Sequence, residues 1–266
     1  MDADAIAQAA QLFVDARRRR TTIAELPERC RPQHTSEVNA SVDAVTARLL
    51  AEQGETIGGW KLGLVYSPRQ VPMLCPLFDS RLFASPARVP MTLTSALRIE
   101  PEISFRLTRD LPPRDKPYRA EEVAAALLAC ASLELIDTRF DTGTRTIRQM
   151  IDDKAMRLQA MADHNTTGAY VTAEGRTGWQ DLDFAAMRVT MRQGSRVLVE
   201  HVGGHPFTDP FLPCVVIANR MRHRGGLRSG ELLVTGSFTG FFEASPDEPV
   251  IAEFEGFGSA EATYVR

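Results

Sequence analysis

The strongest constraint on this chain is a pair of carboxylates inside an apolar run, Arg98-Ile99-Glu100-Pro101-Glu102-Ile103-Ser104-Phe105. As a strand, its period of two puts Glu100 and Glu102 on one face with Ser104, and Ile99, Ile103 and Phe105 on the other. A second run, Leu133-Glu134-Leu135-Ile136-Asp137, offers the same place a third carboxylate. Like charges gathered in a partly buried site repel and lose hydration, so protons, basic side chains or a cation must compensate them. Hard oxygen ligands suit Mg²⁺ or Mn²⁺, and a carboxylate-bound divalent metal is the working expectation. Taken alone, Glu-x-Glu also marks the solvent face of a half-exposed sheet. Glu134, set inside Ser-Leu-Glu-Leu-Ile, is harder to explain by exposure. Asp137 has the opposite parity, which makes it a strand-end residue that pairs with Arg139 or orients a neighbour.

Lys61 is the second unusual charge, flanked by Trp60, Leu62 and Leu64. On a buried strand its ammonium needs an anionic partner, which a metal-carboxylate site holding an anionic substrate supplies; snorkelling to solvent is the alternative. Thr235-Gly236-Ser237 closes a strand with small residues that let backbone amides and the Ser237 hydroxyl approach a ligand, although strand-end turns look the same. His164, His201 and His205 lack zinc-type spacing, Ser237 sits in no nucleophile elbow, and neither G-x-G-x-x-G nor a P-loop occurs.

Around these stretches the pattern is α+β. Ile6, Ala9, Leu12, Phe13 and Ala16 recur at helical spacing from Ala3 to Arg19, and Arg17 to Arg20 read as a solvated C-terminal turn favoured by the helix dipole. Val38, Val42, Val45 and Leu49 predict a second helix capped by Ser36 and stopped at Gly54. A strand is expected over Gly59 to Val65, then irregular, proline-punctuated β structure from Val71 to Phe105. The alanine-rich residues 119–131 read as a helix leading into the Glu134 strand, and residues 146–162 as another, with Ile147, Ile151, Leu158 and Met161 inward. A hairpin about Gly194-Ser195, a helix over residues 211–223, a strand at residues 231–235 and closing antiparallel strands complete the list. The division expected is a helical section, 1–57, and a β-rich metal-binding body, 58–266.

A formal charge of -3 argues against a nucleic-acid binder. No apolar run reaches membrane-spanning length, and the start of the chain lacks a leader pattern. Cys30, Cys75, Cys130 and Cys214 form no C-x-x-C pair, as expected of buried free thiols in a cytoplasmic protein.

Several stretches, in this order, resemble the 2-oxopent-4-enoate hydratase and 4-oxalocrotonate decarboxylase family of the fumarylacetoacetate hydrolase superfamily. They are Gly59-Trp60-Lys61-Leu62-Gly63-Leu64, Leu77-Phe78-Asp79, residues 99–105, residues 133–139, Gly204-His205-Pro206, Ala218-Asn219 and residues 232–237. The resemblance implies a mixed β body that holds one Mg²⁺ or Mn²⁺ through Glu100, Glu102 and Glu134. It also implies Lys61 in the site and Asp79 as an acid of the substrate pocket. The implied substrate is a small 2-hydroxydienoate or its 2-oxo tautomer from aromatic meta-cleavage, chelating the metal through its carboxylate and 2-oxygen. Hydration is the implied reaction, with decarboxylation of a 2-oxo-3-enedioate as the alternative. Hydrolysis of acylpyruvates, or a non-catalytic subunit that stabilises a pathway enzyme, stand behind these. A homo-oligomer is implied as well. The chain departs from the family pattern at Val199-Glu200-His201-Val202-Gly203 and at Asp79-Ser80, and Asp163 to Gly168 is expected as a mobile segment near the site.

Overall fold

The chain opens with two helices that bury one face each. In the computed structural model, which describes residues 1–63, 72–141, 149 and 152–266, α1 spans Ala3–Arg19 and is capped by Asp2, whose side chain accepts from Ala5 N at 2.8 Å. α2 spans Thr35–Gln53 and stops at Gly54; its N-cap is His34, so Ser36 lies inside the helix and does not cap it. Phe13, Val14, Val38 and Val45 pack together with Met73, Cys75, Phe140 and Met156. The helical section therefore shares its core with the body.

Thirteen strands follow among the described residues. β1 (Ile57–Leu62), β2 (Leu74–Phe78), β3 (Leu82–Ala84), β4 (Ala87–Pro90) and β5 (Arg98–Leu107) precede the short helix α3 (Ala120–Ala124) and β6 (Leu127–Ile136). Helix α4 (Lys154–Ala162) leads to β7 (Thr167–Thr172), then β8 (Arg188–Gln193) and β9 (Arg196–Val202) make the expected hairpin. Helix α5 (Leu212–Met221) precedes β10 (Leu232–Ser237), β11 (Phe242–Glu243), β12 (Val250–Phe254) and β13 (Gly258–Val265). β12 and β13 pair antiparallel, as their alternation predicts. Leu64, Val65 and Val71, and Thr146, Ile147 and Ile151 of the expected strand and helix, lie outside the described residues. Asp153 caps α4, accepting from Ala155 N at 2.8 Å.

Two sheets result. The larger runs β2-β1-β10-β5-β6-β7-β3, with β11 also on β5, and the smaller runs β4-β13-β12-β8-β9. Ile99, Ile103, Phe105, Leu133 and Leu135 of the first pack with Val189, Met191, Ala252 and Phe254 of the second and with Ile217 of α5. This is the α+β architecture expected, with one large apolar layer between sheets.

The larger sheet is rolled. Lys61 on β1 and Glu134 on β6 are three strand positions apart, roughly 14 Å on a flat sheet, yet their side chains are hydrogen-bonded. Leu77 of β2, Tyr170 of β7, and Leu232 and Val234 of β10 likewise meet on the inside of the roll.

Two sequence expectations are corrected. The stretch 119–131 is helical only at Ala120–Ala124 and is strand from Leu127, because ten residues of pairing with β5 outweigh alanine's helix preference. Ala129 and Ala131 are buried there, where small side chains fit. Arg17 does not sit in a solvated turn: it is mostly buried and bonds Asp163 at 3.1 Å across 146 residues of chain.

Candidate active site

The pairing of β5 with β6 assembles the acids. Glu100 stands directly opposite Glu134, and Glu102 opposite Ser132, so the parity read from sequence puts Glu100, Glu102 and Glu134 on the inner face of the roll. Each offers an oxygen, and these oxygens lie within 4.8 Å of one another. Glu102 and Glu134 are wholly buried.

Pro101 between them has no N–H for a ladder, and proline in a central strand calls for an irregularity. β10 supplies it. Its register against β5 shifts between Val234 and Ser237, and Gly236 within the bulge has φ 116°, a conformation for which glycine suits. The Pro101 carbonyl then accepts from Ser237 Oγ at 3.1 Å and from Phe238 N at 3.4 Å.

Charge in this cluster is unbalanced. Lys61 is buried and donates to Glu134 Oε2, while its Nζ lies 5.8 Å from the Tyr170 ring centroid. Both Glu102 oxygens and Glu134 Oε1 meet no donor among the described residues. Burial and the Glu134 charge push the Glu100 carboxyl up to about 8, and the same causes raise Glu102 well above the carboxylate range. Burial opposes the Lys61 charge, but Glu134, Glu102 and Glu100 together outweigh it and hold the ammonium protonated above its ordinary range. Three acids, one base and three carboxylate oxygens unbonded among the described residues fit a divalent cation.

The cluster opens into a cavity of about 540 Å³ lined by Lys61, Glu100 and Glu102 at one end. Ile136, Met161, Val199, Phe238 and Phe241 make much of its wall apolar, and Arg157, Asn165 and His201 add polar groups. Gly204 has φ 96°, and a Cβ there would stand 2.4 Å from the Phe238 carbonyl and 2.9 Å from the His201 ring, so both are seated against bare backbone.

The other sequence candidates are placed differently. Ser237 lines the cavity, but its hydroxyl is used within the loop: it donates to Pro101 O and accepts from Gly240 N at 3.0 Å and Thr239 N at 3.3 Å. Asp79 is not brought to the acids. It follows the end of β2, is exposed, accepts from Thr56 Oγ1 at 2.7 Å, and lines a different cleft with Ile57, Arg106 and Arg228. Asp137 pairs with Arg139, as its parity suggested, and Arg139 also holds Asp163. His205 is buried against Phe238, ring centroids 5.2 Å apart, and burial brings its imidazole down to about 4. Arg157 and Asn165 carry no spacing that sequence reading singles out. They reach the cavity because α4 packs on α2 and the turn after it on β2.

No family model matches the chain. A curated relative, the 2-keto-4-pentenoate hydratase of Paraburkholderia phymatum, is 29% identical over 260 residues, covering 94% of this chain and 94% of the relative. Among solved structures, the 4-oxalocrotonate decarboxylase from Pseudomonas putida G7, complexed with magnesium and adipate, superposes with a TM-score of 0.79 at 18% identity, covering 99% of this chain and 98% of that one. A fumarylacetoacetate hydrolase family protein from Yersinia pestis CO92 superposes with a TM-score of 0.54 at 13% identity, over 80% of this chain and 94% of the other. No helix among the described residues is long and apolar enough to cross a membrane. Over nearly its whole length the chain is thus similar in sequence to 2-keto-4-pentenoate hydratases, and it shares the fold of the 4-oxalocrotonate decarboxylase.

Proposed function

We propose that this protein is a divalent-metal-dependent hydratase acting on a 2-hydroxypenta-2,4-dienoate-like acid, through its 2-oxo-enoate tautomer, in aromatic catabolism. The observation that carries the reading is the convergence of Glu100, Glu102 and Glu134 with three oxygens that no donor among the described residues satisfies. Those three residues would hold Mg²⁺ or Mn²⁺. Bound there, the ion would polarise the 2-oxo group and stabilise negative charge on its oxygen.

The chain's own residues supply the rest. Lys61 keeps Glu134 bonded and adds positive charge at the end of the cavity where an acid's carboxylate would lie. The apolar wall of Ile136, Met161, Phe238 and Phe241 holds the hydrocarbon chain and limits the water that reaches it. Hydration adds the oxygen of one water to C4 and a proton to C3, and Lys61 Nζ and His201 are the proton carriers on this wall. Asp79, implied by the resemblance, stands outside the cavity and enters no step of this account. A homo-oligomer in the cytoplasm belongs to the same reading.

A second reading is favoured by Arg157, a further cation on the same wall. It suits the distal carboxylate of a 2-oxo-3-enedioate, whose decarboxylation uses the same electron sink. Water addition and CO₂ release, measured in parallel on the mono-acid and the di-acid, separate the two.

Glu102→Gln removes one ligand while keeping the volume. Mg²⁺ binding by calorimetry should disappear and turnover fall at least about a hundredfold, the lower end of a lost Lewis acid. Full turnover in this variant, or after exhaustive chelation of the parent, sinks the metal reading.

A further inference from the structure

His164, Asn165 and Thr166 are three consecutive non-glycine residues in the left-handed region, with φ of 50°, 52° and 56°. Asparagine tolerates that region, but a β-branched threonine does not, and a run of three is strained backbone that its surroundings must impose. Asp163, wholly buried, accepts from the Arg139 backbone N–H at 2.8 Å, from Arg139 Nε at 2.9 Å and from Arg17 at 3.1 Å. His164 Nδ1 faces Arg17 at 3.4 Å and its Nε2 faces Thr46 Oγ1 at 3.2 Å. Arginine only donates and Thr46 Oγ1 already donates to Val42 O, so Nδ1 is the acceptor and Nε2 carries the proton. Beyond the turn, Asp137 N donates to Thr166 O at 2.8 Å and Thr167 enters β7. The segment expected to be mobile is thus clamped by α1, α2 and β6.

The clamped turn delivers Asn165 and Thr166 to the wall of the cavity that holds Lys61, Glu100 and Glu102. Thr166 Oγ1 turns back onto the Asn165 carbonyl at 2.7 Å. Among the described residues, no hydrogen bond ties down the Asn165 carboxamide. Lys61, the nearest cation of the cluster, is already given to Glu134. A 2-oxo acid at the cluster brings carboxylate oxygens that need donors, and the Asn165 Nδ2 amide is a donor the wall has to spare.

We propose that this left-handed turn is a substrate-binding element, in which Asn165 donates to the carboxylate of the bound 2-oxo acid and the Arg17–Asp163–Arg139 network fixes its aim. The inference rests on the reading of the glutamate cluster as the seat of a metal-chelated 2-oxo acid. It makes the N-terminal helical section part of substrate recognition, since α1 supplies Arg17 and α2 supplies Thr46.

The competing account is that asparagine stands here only because it tolerates φ 52°. Asn165→Gly separates the two, because glycine takes the left-handed region freely and removes only the carboxamide. Asn165→Asp keeps the tolerance and replaces donors with a charge. Each purified variant and the parent are titrated calorimetrically with Mg²⁺, and then, in saturating Mg²⁺, with the unreactive saturated acid 2-oxopentanoate, with melting temperatures recorded alongside. Both variants should bind Mg²⁺ as the parent does and bind 2-oxopentanoate at least about tenfold more weakly, the loss expected for one hydrogen bond to a charged group. The glycine variant should melt no lower than the parent. Binding of 2-oxopentanoate by Asn165→Gly within about twofold of the parent overturns the inference alone. A parent that binds Mg²⁺ but no 2-oxo acid brings down the reading of the site, and the inference with it.

Discussion

Two buried ionic clusters lie close together in the chain, Glu134 within β6 and Asp137 just past its end, and they are built on opposite plans. Around Asp137 two acids meet two bases: Asp137 and Asp163 with Arg17 and Arg139, and all four carboxylate oxygens are bonded. Around Glu134 three acids meet one lysine, and three oxygens are without a donor among the described residues. Lys61, Glu102 and Glu134 in the one, and Asp137, Arg139 and Asp163 in the other, are buried, while Glu100 and Arg17 are partly exposed. A balanced network satisfies itself and fastens elements together, whereas a deficit of positive charge keeps a place for something that arrives from solution.

Opposite plans should respond in opposite ways to mutation. Asp163→Ala strands two buried guanidinium groups and should destabilise the protein by about 3–5 kcal/mol, read from denaturant unfolding, while Mg²⁺ affinity per folded molecule stays near the parent's. A variant of unchanged stability would show that the network fastens nothing.

The glutamate cluster should instead reveal itself through pH. Without metal, Glu100 holds its proton to about 8 in the folded protein, against an ordinary value of 4.5, and Glu102 shifts the same way. Across that window the folded protein binds protons that the unfolded chain has released, so stability is greatest at the acid side and falls as pH rises through about 8. Mg²⁺ requires the ionised acids, so its stabilising effect grows over the same window. Melting curves at both ends, with chelator and with Mg²⁺, check the two slopes; a chelated protein that gains stability toward pH 8 contradicts the charge deficit.

A smaller effect sharpens the contrast. Glu102→Gln removes an uncompensated charge, so the metal-free variant at pH 8 should melt above the metal-free parent, even though it loses the ion. Smallest of all, Ser237→Ala deletes one bond to Pro101 O and the acceptor for Gly240 N. It should lower stability by about 1 kcal/mol and weaken substrate binding less than tenfold, measured as KM with kcat nearly unchanged.

The two clusters also differ in how far sequence reveals them. Glu100, Glu102 and Glu134 were legible because strand parity is local: a period of two decides which side chains share a face before any partner is known. Lys61 was legible as a charge out of place on an apolar strand. The balanced network was not, because Arg17 and Asp163 are 146 residues apart and a basic run at a helix end looks like a solvated turn. Residues 127–131 failed for a related reason, since alanine's helix preference is local and the β5 partner is not. Asp79 sits one residue past the end of β2, where the strand's alternation no longer governs where it points. Asn165 was legible only as part of a segment expected near the site, since its own position depends on a turn held from three other elements.

The order of strands in the rolled sheet has a consequence for how the protein is made. β10, from residue 232 onward, lies between β1 and β5 and pairs with both. A nascent chain therefore carries Lys61, Glu100, Glu102 and Glu134 long before the strand that brings Lys61 to the others has been synthesised. Until that strand inserts, β5 can pair with β6 and gather the three acids, but no lysine stands beside them, so the centre is completed only after residues 232–237 have been made.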